Sequence, residues 1–330
     1  MPGPAVLEVL DPGLLTTVQD GGRPELATEG ITRGGAADRW SLAVANALVG
    51  NPADAAALEL TIAGPTLRPL RAITVGLAGT IGGRIPGRGL AVAPGTAVTL
   101  QPGDTLHLDG PATGARGYLA VPGGVDVPVV LGSRSTALGA GFGGLEGRPL
   151  RAGDRIRATA PDDALVRNPA RWPTEAAPAP GPIRVLLGPH ATDLGAGASR
   201  ALLAGPWAVG PASDRMGIRL AGRPIPGDAY AELPSLGVVE GSVQLPPDGL
   251  PIVLLADHQP TGGYPVIAVV ITADLDRLAQ LPPGAPIQLA MTTLEAARTA
   301  REAPRESFAA GVAALRADAG WDELWLSAGA

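Results

Sequence analysis

SLGVVEGSVQLPPDGLPIVLLADHQPTGGYPVIAVVITADLDRLAQ, residues 235–280, contains two apolar runs at 252–256 and 266–273. Both are rich in Val, Ile and Leu, which suits strands buried on both faces. Between them lies Asp257-His258-Gln259-Pro260-Thr261-Gly262-Gly263-Tyr264-Pro265, which gathers a carboxylate, an imidazole, an amide, a hydroxyl and a phenol on one turn. Gly262 and Gly263 permit a left-handed backbone or the close approach of a ligand. Pro260 and Pro265 fix φ on either side and stiffen the turn. A rigid polar turn between buried strands is a natural place for a site; the competing reading is a plain hairpin turn whose polar groups satisfy one another. Upstream, Gln244 precedes Pro246-Pro247-Asp248-Gly249, a turn that folds its strand back on residues 252–255. That register sets Gln244 level with residues 251–253, so it reaches Asp257 only through a bulge or a long side chain.

Composition narrows the class. The chain has 330 residues with 45% hydrophobic, 17% charged and 3% aromatic residues, so a large and aliphatic core is expected. Its 47 Gly and 35 Pro alternate with short apolar runs, a pattern of many short strands joined by tight turns. Pro94-Gly95, Pro102-Gly103, Ala152-Gly153 and Pro283-Gly284 each precede an alternating strand, three in the first half and one near the end. Barrel-like sheets are therefore expected in both halves.

There is no Cys, which removes thiol redox chemistry and Cys-ligated metal; no metal site is expected. All 25 basic residues are Arg, so the chain forms no lysine Schiff base, has no Walker lysine and carries no biotin of its own. Net charge is −6 without a basic stripe, which argues against nucleic acid. No run approaches the ~18 apolar residues of a membrane span, and no signal peptide is visible. The expected location is the cytoplasm.

In chain order, residues 6–10 and 14–18 read as strands, followed by the polar turn Gln19-Asp20-Gly21-Gly22-Arg23-Pro24. Residues 38–49 read as a helix capped by Asp38, with Gly50 just beyond it. Leu131-Gly132-Ser133-Arg134-Ser135-Thr136 sets an Arg among hydroxyls, either an anion-holding loop or a solvated turn. Residues 1–161 are expected to form the first domain and the Pro/Ala-rich stretch 162–182 a linker. A second domain is expected over 183–304 and a helical tail over 305–330. The second domain opens with Gly188-Pro189-His190. Asp214 with Arg215 or Arg219 reads either as a structural ion pair or as part of a site. Residues 273–280, 293–302 and 306–317 read as three helices, and Trp321 and Trp325 as docking residues.

Taken in order, these blocks resemble one family. They are residues 13–24, Ala45-Asn46-Ala47-Leu48-Val49-Gly50-Asn51, Leu58-Glu59 with Gly64-Pro65-Thr66, residues 118–124, residues 131–136, residues 213–217, residues 244–251 and residues 257–265. The family is that of the 5-oxoprolinase C subunits, or allophanate hydrolase subunit 2, the KipA-like biotin-dependent carboxyltransferases. Gly34-Gly35-Ala36-Ala37-Asp38 departs from the family's usual Ser-Gly-Ala-Met-Asp-like run, and Ile218 stands where a Tyr is usual.

The resemblance implies a mainly β fold of two cyclophilin-like β-barrel domains with a few short helices. It also implies two partners: a B-type companion (KipI-like, allophanate hydrolase subunit 1) and an A-type companion (LamB/YcsF-like). The implied reaction opens 5-oxo-L-proline to L-glutamate with ATP and Mg at the level of the complex, the chain alone being inactive. One alternative is a urea amidolyase-type carboxyltransferase with biotin supplied by another chain. Another is a regulatory protein antagonising a kinase inhibitor. The catalytic candidates are Asp257, Arg215, Asp214 and Tyr264, with His258 weighted toward a structural role. The candidates for binding a small amide are Gln244, Gln259, Thr261, Gly262, Gly263, Arg219, Arg134, Ser135, Gln19, Asp20 and Arg23.

Overall fold

The computed structural model describes residues 2–110, 114–173, 181–226 and 233–317. The fold is mainly β, with helices α1 (Arg39–Ala47), α2 (Gly195–Ala204), α3 (Thr272–Ala279) and α4 (Leu294–Ala317) among the described residues. The chain divides into two compact units. Unit 1 comprises Met1–Gly22, Asp38–Ala177 and Pro304–Ala330; unit 2 comprises Arg23–Ala37 and Pro178–Ala303. The short segment Arg23–Ala37 thus leaves the first unit in sequence and folds with the second.

Unit 1 packs two antiparallel sheets. One runs in the order Leu15–Gln19, Ala57–Thr61, Arg116–Ala120, Ile73–Gly79, Thr96–Leu100. The other has six strands, with Ala5–Asp11 between Arg155–Arg157 and Thr66–Pro69. The core is built from Val, Leu, Ile and Ala, including Leu7, Leu58, Leu67, Val75 and Leu119. The recurring turn device has its left-handed glycine in each copy, at φ 77° for Gly95, 99° for Gly103, 88° for Gly153 and 83° for Gly284. Residues 162–173 do not form a free linker. Leu165 O accepts from Thr74 N, Ala170 O from Ala97 N, and Trp172 N donates to Gly95 O, so this stretch is pinned to unit 1.

α1 begins where Asp38 caps it: Oδ1 accepts from Ser41 N at 2.9 Å and Oδ2 from Ser41 Oγ at 2.6 Å. Asn46, inside this helix, is fully buried and needs partners. Its amide donates to Ala55 O at 2.8 Å, and its Oδ1 accepts from Asn51 Nδ2 at 2.9 Å. Asn51 also donates to Val121 O at 2.8 Å and accepts from Gly123 N at 2.7 Å. The Asn46–Asn51 block is therefore a buried staple between α1 and the Gly123-Gly124 turn. Glu59 is equally internal. Its Oε2 accepts from Tyr118 Oη at 2.7 Å, its Oε1 from Arg116 Nη1 at 3.2 Å, and Tyr118 Oη accepts from Asp38 N at 2.8 Å. Burial first, then the Glu59 and Asp38 carboxylates, hold the Tyr118 phenol well above its ordinary range.

In the C-terminal part of unit 1, Phe308 on α4 stacks on Trp172 with ring centroids 5.5 Å apart and meets Trp40 edge-on at 5.9 Å. Trp40 and Trp172 cross at 88°. A side chain on Gly311 would overlap the Trp172 indole, so only glycine fits that helical position. Residues 294–317 form one helix rather than the expected two, with Pro304 inside it at the cost of one backbone hydrogen bond. Trp321 and Trp325 lie outside the described residues.

Unit 2 is built on an eight-stranded sheet in the order Pro286–Ile287, Trp207–Val209, Gly217–Gly222, Ile252–Leu254, Ser242–Gln244, Val266–Val270, Ile183–Leu187, Leu289–Met291. The two outermost strands are separated in sequence only by Gln288, so the sheet is a nearly closed barrel. Its core includes Val185, Ile218, Val243, Val253 and Ile267. The runs 252–256 and 266–273 both enter this barrel but do not pair with each other; Ser242–Gln244 lies between them. A simple hairpin over 257–265 is therefore excluded. Two-residue strands Leu236–Gly237 and Thr261–Gly262 pair antiparallel beside the barrel.

Replacing Asn51 with Ala is expected to destabilise the chain by about 2–3 kcal/mol, because it takes from Asn46 Oδ1 and Gly123 N the partners they have in the interior. Urea denaturation checks this; a loss indistinguishable from that of an exposed Asn would contradict the staple.

Candidate functional site

The site candidates of unit 2 centre on Arg215 and Asp257. The strand Gly217–Gly222 pairs Gly217 with Leu254. That pairing continues past the regular ladder, where Leu255 N donates to Met216 O and Asp257 N to Arg215 O, each at 3.0 Å. The backbone thus delivers the two side chains face to face. Arg215 Nε donates to Asp257 Oδ2 at 2.8 Å and Nη2 to Oδ1 at 2.9 Å, a bidentate pair. Arg215 Nη2 also donates to Gly35 O at 2.6 Å. The side chains are 4% and 11% exposed, so this is a desolvated pair.

The third party is the segment Arg23–Ala37. Gly34 N donates to Ala256 O at 3.1 Å, and Ala37 packs with Ala256 and Ala279. Gly34 and Gly35 have φ of 60° and 85°, a left-handed run that needs glycine. A Cβ on Gly34 would lie 3.5 Å from Arg23 Nη1 and 3.7 Å from Asp257 Oδ1. The buried Arg23 guanidinium and the Asp257 carboxylate therefore both close on Gly34. Sequence reading placed Arg23 among the candidates but missed the Gly34-Gly35 backbone; the signal was a glycine pair followed by two alanines.

The Asp214–Arg215 or Asp214–Arg219 ion pair, one of the two readings of this stretch, is not formed among the described residues. Asp214 is exposed and accepts from Met216 N at 2.8 Å and Gly217 N at 3.2 Å, closing its own turn. Arg219 points outward from a strand whose Ile218 and Leu220 face the core. Arg215 lies before the strand begins, in the turn that Asp214 closes, where the backbone bond from Asp257 N to Arg215 O brings up Asp257 as its carboxylate.

A second group of candidates lies along the turn. Gln244 is buried at the end of its strand, opposite Ile252 on one side and Val266 on the other. A register shift falls between Val243 and Gln244. Gln244 Nε2 is buried without an acceptor among the described residues. A Cβ on Gly262 would lie 2.5 Å from that nitrogen and 3.6 Å from Gln259 Nε2. Two amide groups thus converge on a position that only glycine leaves open. Thr261 is exposed, and Tyr264 and Gly263 are half-buried. His258 is buried, and its Nδ1–H donates to Gln259 O at 2.7 Å, which fixes the turn.

The remaining candidates belong to unit 1. Asp20 Oδ1 accepts from Ser133 Oγ at 2.6 Å, Ser135 Oγ at 2.5 Å and Gly22 N at 2.8 Å, and Oδ2 from Arg134 N at 2.5 Å. Arg134 Nε donates to Val127 O at 3.0 Å. Gln19 Nε2 donates to Thr17 Oγ1 at 3.0 Å and Thr136 O at 3.2 Å. Asp20 is thus the clamp of the loop at 131–136, with its acceptor capacity taken up inside the fold. The described residues hold no cluster of three or more His, Cys, Asp or Glu suited to a metal. No helix of the described residues is long and apolar enough to cross a membrane.

This fold and these motifs define a carboxyltransferase-type domain. The family model "Carboxyltransferase domain, subdomain A and B" matches residues 29–291, and the chain belongs to that family. Within it, the chain is 40% identical to the 5-oxoprolinase C subunit of Escherichia coli, over 92% of this chain and 96% of that one. It is 34% identical to the protein of the same name from Haemophilus influenzae, over 90% of this chain and 94% of the other. The solved urea amidolyase of K. lactis superposes with a TM-score of 0.86 at 29% identity, covering 93% of this chain and 20% of that one.

Arg215→Ala is expected to destabilise the chain by about 3–5 kcal/mol, because it strands the Asp257 carboxylate in a desolvated position. Adding Asp257→Asn should recover part of that loss. Chemical denaturation of the two variants checks both, and an additive double variant would deny the pairing.

Proposed function

We propose that the chain is the C subunit of a heteromeric, ATP-dependent 5-oxoprolinase and that the turn of unit 2 binds the cyclic amide. The observation that carries this reading is Gln244 Nε2, a buried donor without an acceptor among the described residues, set against Gly262. A buried donor of this kind costs free energy until it is matched. A lactam carbonyl oxygen matches it without any change of charge. Identity to the 5-oxoprolinase C subunit of Escherichia coli over nearly the whole of both chains supports the same reading.

In this reading Gln244 donates to the lactam oxygen and Gln259 borders the same space. Asp257, held by Arg215, is a fixed acceptor for an N–H group. The Tyr264 hydroxyl is a further donor at the edge. ATP with Mg supplies the activation that makes the amide a better electrophile. The chain's own residues do not fit a P-loop-type phosphate site. There is no Lys, and the Gly-rich run 139–147 forms turns closed by the Ala137–Phe142 bridge instead of opening a helix. We therefore place nucleotide binding on companions of the B and A types and the amide on this chain, in the cytoplasm.

Likeness to urea amidolyase supports a second reading, a carboxyltransferase acting on urea. A ureido ring offers Gln244 the same carbonyl acceptor, so the donor set fits biotin brought by another chain. The deciding experiment measures 5-oxoproline-dependent ATP hydrolysis by the chain alone and with both companions. We expect turnover only in the complete complex. Gln244→Leu should raise KM for 5-oxoproline by roughly tenfold, the worth of one well-made hydrogen bond. Full activity of the chain alone would overturn the division of labour. A complete complex that ignores 5-oxoproline but carboxylates urea from carboxybiotin would establish the second reading.

A further inference from the structure

We infer that His190 is a positioning residue, an imidazole whose Nδ1 acts as the acceptor that fixes the exit of the amide-binding turn. The strand Ile183–Leu187 pairs antiparallel with Val266–Val270 through Val185, Leu186 and Leu187. The pairing runs on through Gly188 N, which donates to Ile267 O at 2.9 Å, and His190 N, which donates to Val266 O at 3.2 Å. Gly188 is required there, because a Cβ would overlap Val266 O. Pro189 lies between these two donors and has no N–H of its own to give. Val266 N, the first donor of the strand, gives its hydrogen to a side chain: His190 Nδ1 takes it at 3.0 Å. The side chain stands in for a carbonyl.

That bond dictates the tautomer. A backbone N–H only donates, so Nδ1 carries the lone pair and the proton sits on Nε2. Val266 follows Pro265 directly and is the register partner of Gln244. Leu245 N donates to Pro265 O at 2.9 Å on the other side. The exit of the turn is thus held from both flanks, by Leu245 and by His190. Losing the imidazole acceptor frees Val266 N–H and loosens the strand end against which Gln244 is set. Gly188-Pro189-His190 is, on this account, a single device: close approach, interruption and side-chain replacement.

The claim that this matters to substrate rests on the function proposed above; the positioning itself does not, and the two are tested separately. On the full chain, ¹⁵N NMR should show His190 as the Nε2–H tautomer. Hydrogen exchange at Val266 should speed up on the order of tenfold in His190→Ala while the rest of the barrel stays protected. His190→Asn, whose Oδ1 can replace Nδ1 as acceptor, should restore protection, and His190→Phe should not. An Nδ1–H tautomer, or unchanged exchange at Val266 in His190→Ala, would overturn the positioning. In the reconstituted complex, His190→Ala should raise KM for 5-oxoproline by up to about tenfold with a smaller change in kcat, and His190→Asn should recover it. Faster exchange with an unchanged KM would overturn the link to substrate. A wild-type complex inactive toward 5-oxoproline would count against the proposed function alone.

Discussion

Arg215 carries a charge that protein surroundings do not remove, and unit 2 buries it. Such a charge must be met by a carboxylate and by further acceptors, or the fold loses several kcal/mol. Asp257 and the Gly35 carbonyl meet it together. This single requirement fixes three pieces of chain: the turn before Gly217–Gly222, the end of the run 252–256, and the segment Arg23–Ala37. The position of Gly34 against Asp257 follows from it, as does the start of the polar turn that leads to Gly262.

Unit 1 answers the same problem differently. Asp20, Asn46, Asn51, Glu59 and Tyr118 are polar groups whose bonds close within the fold. Residues of this kind look catalytic in a motif list, because carboxylates, amides and phenols also serve active sites. What separates the two cases is satisfaction. Asp20 has donors on both oxygens, whereas the Gln244 amide nitrogen is buried against Gly262 without an acceptor among the described residues. Saturated networks set geometry and resist change; a buried donor awaiting an acceptor is a place for a ligand.

Much of this was legible in the sequence. The Pro-Gly and Ala-Gly turns announced their left-handed glycines, Asp38 its cap, and the two apolar runs their strands, because each rests on local sterics. The pairing of Gln244 with Ile252 was legible from the turn at Asp248-Gly249, since a hairpin's register follows from its loop. Other features were not local. Asp214 is next to Arg215 in sequence, yet the partner of Arg215 is Asp257, 42 residues on, because the strand pairing sets those two opposite each other. The migration of residues 23–37 into unit 2 depends on a carbonyl, which has no signature in a side-chain alphabet. The role of His190 depends on which backbone N–H it meets, and only the register reveals that.

The aromatic cluster of unit 1 has an optical consequence. Trp40 and Trp172 have ring centroids 6.2 Å apart, near enough for their indole transitions to couple, and Phe308 from α4 lies against both. Trp207 sits in unit 2, buried and with its indole N–H donated to Leu202 O at 2.7 Å. With so few aromatic residues in the chain, the near-ultraviolet circular dichroism of unit 1 reports the seating of α4 on the two indoles. Trp207 is one of five tryptophans, and the difference between the emission of the chain and that of its Trp207→Phe variant reports the second barrel. Assembly with companion proteins can therefore be followed in each unit without an added label.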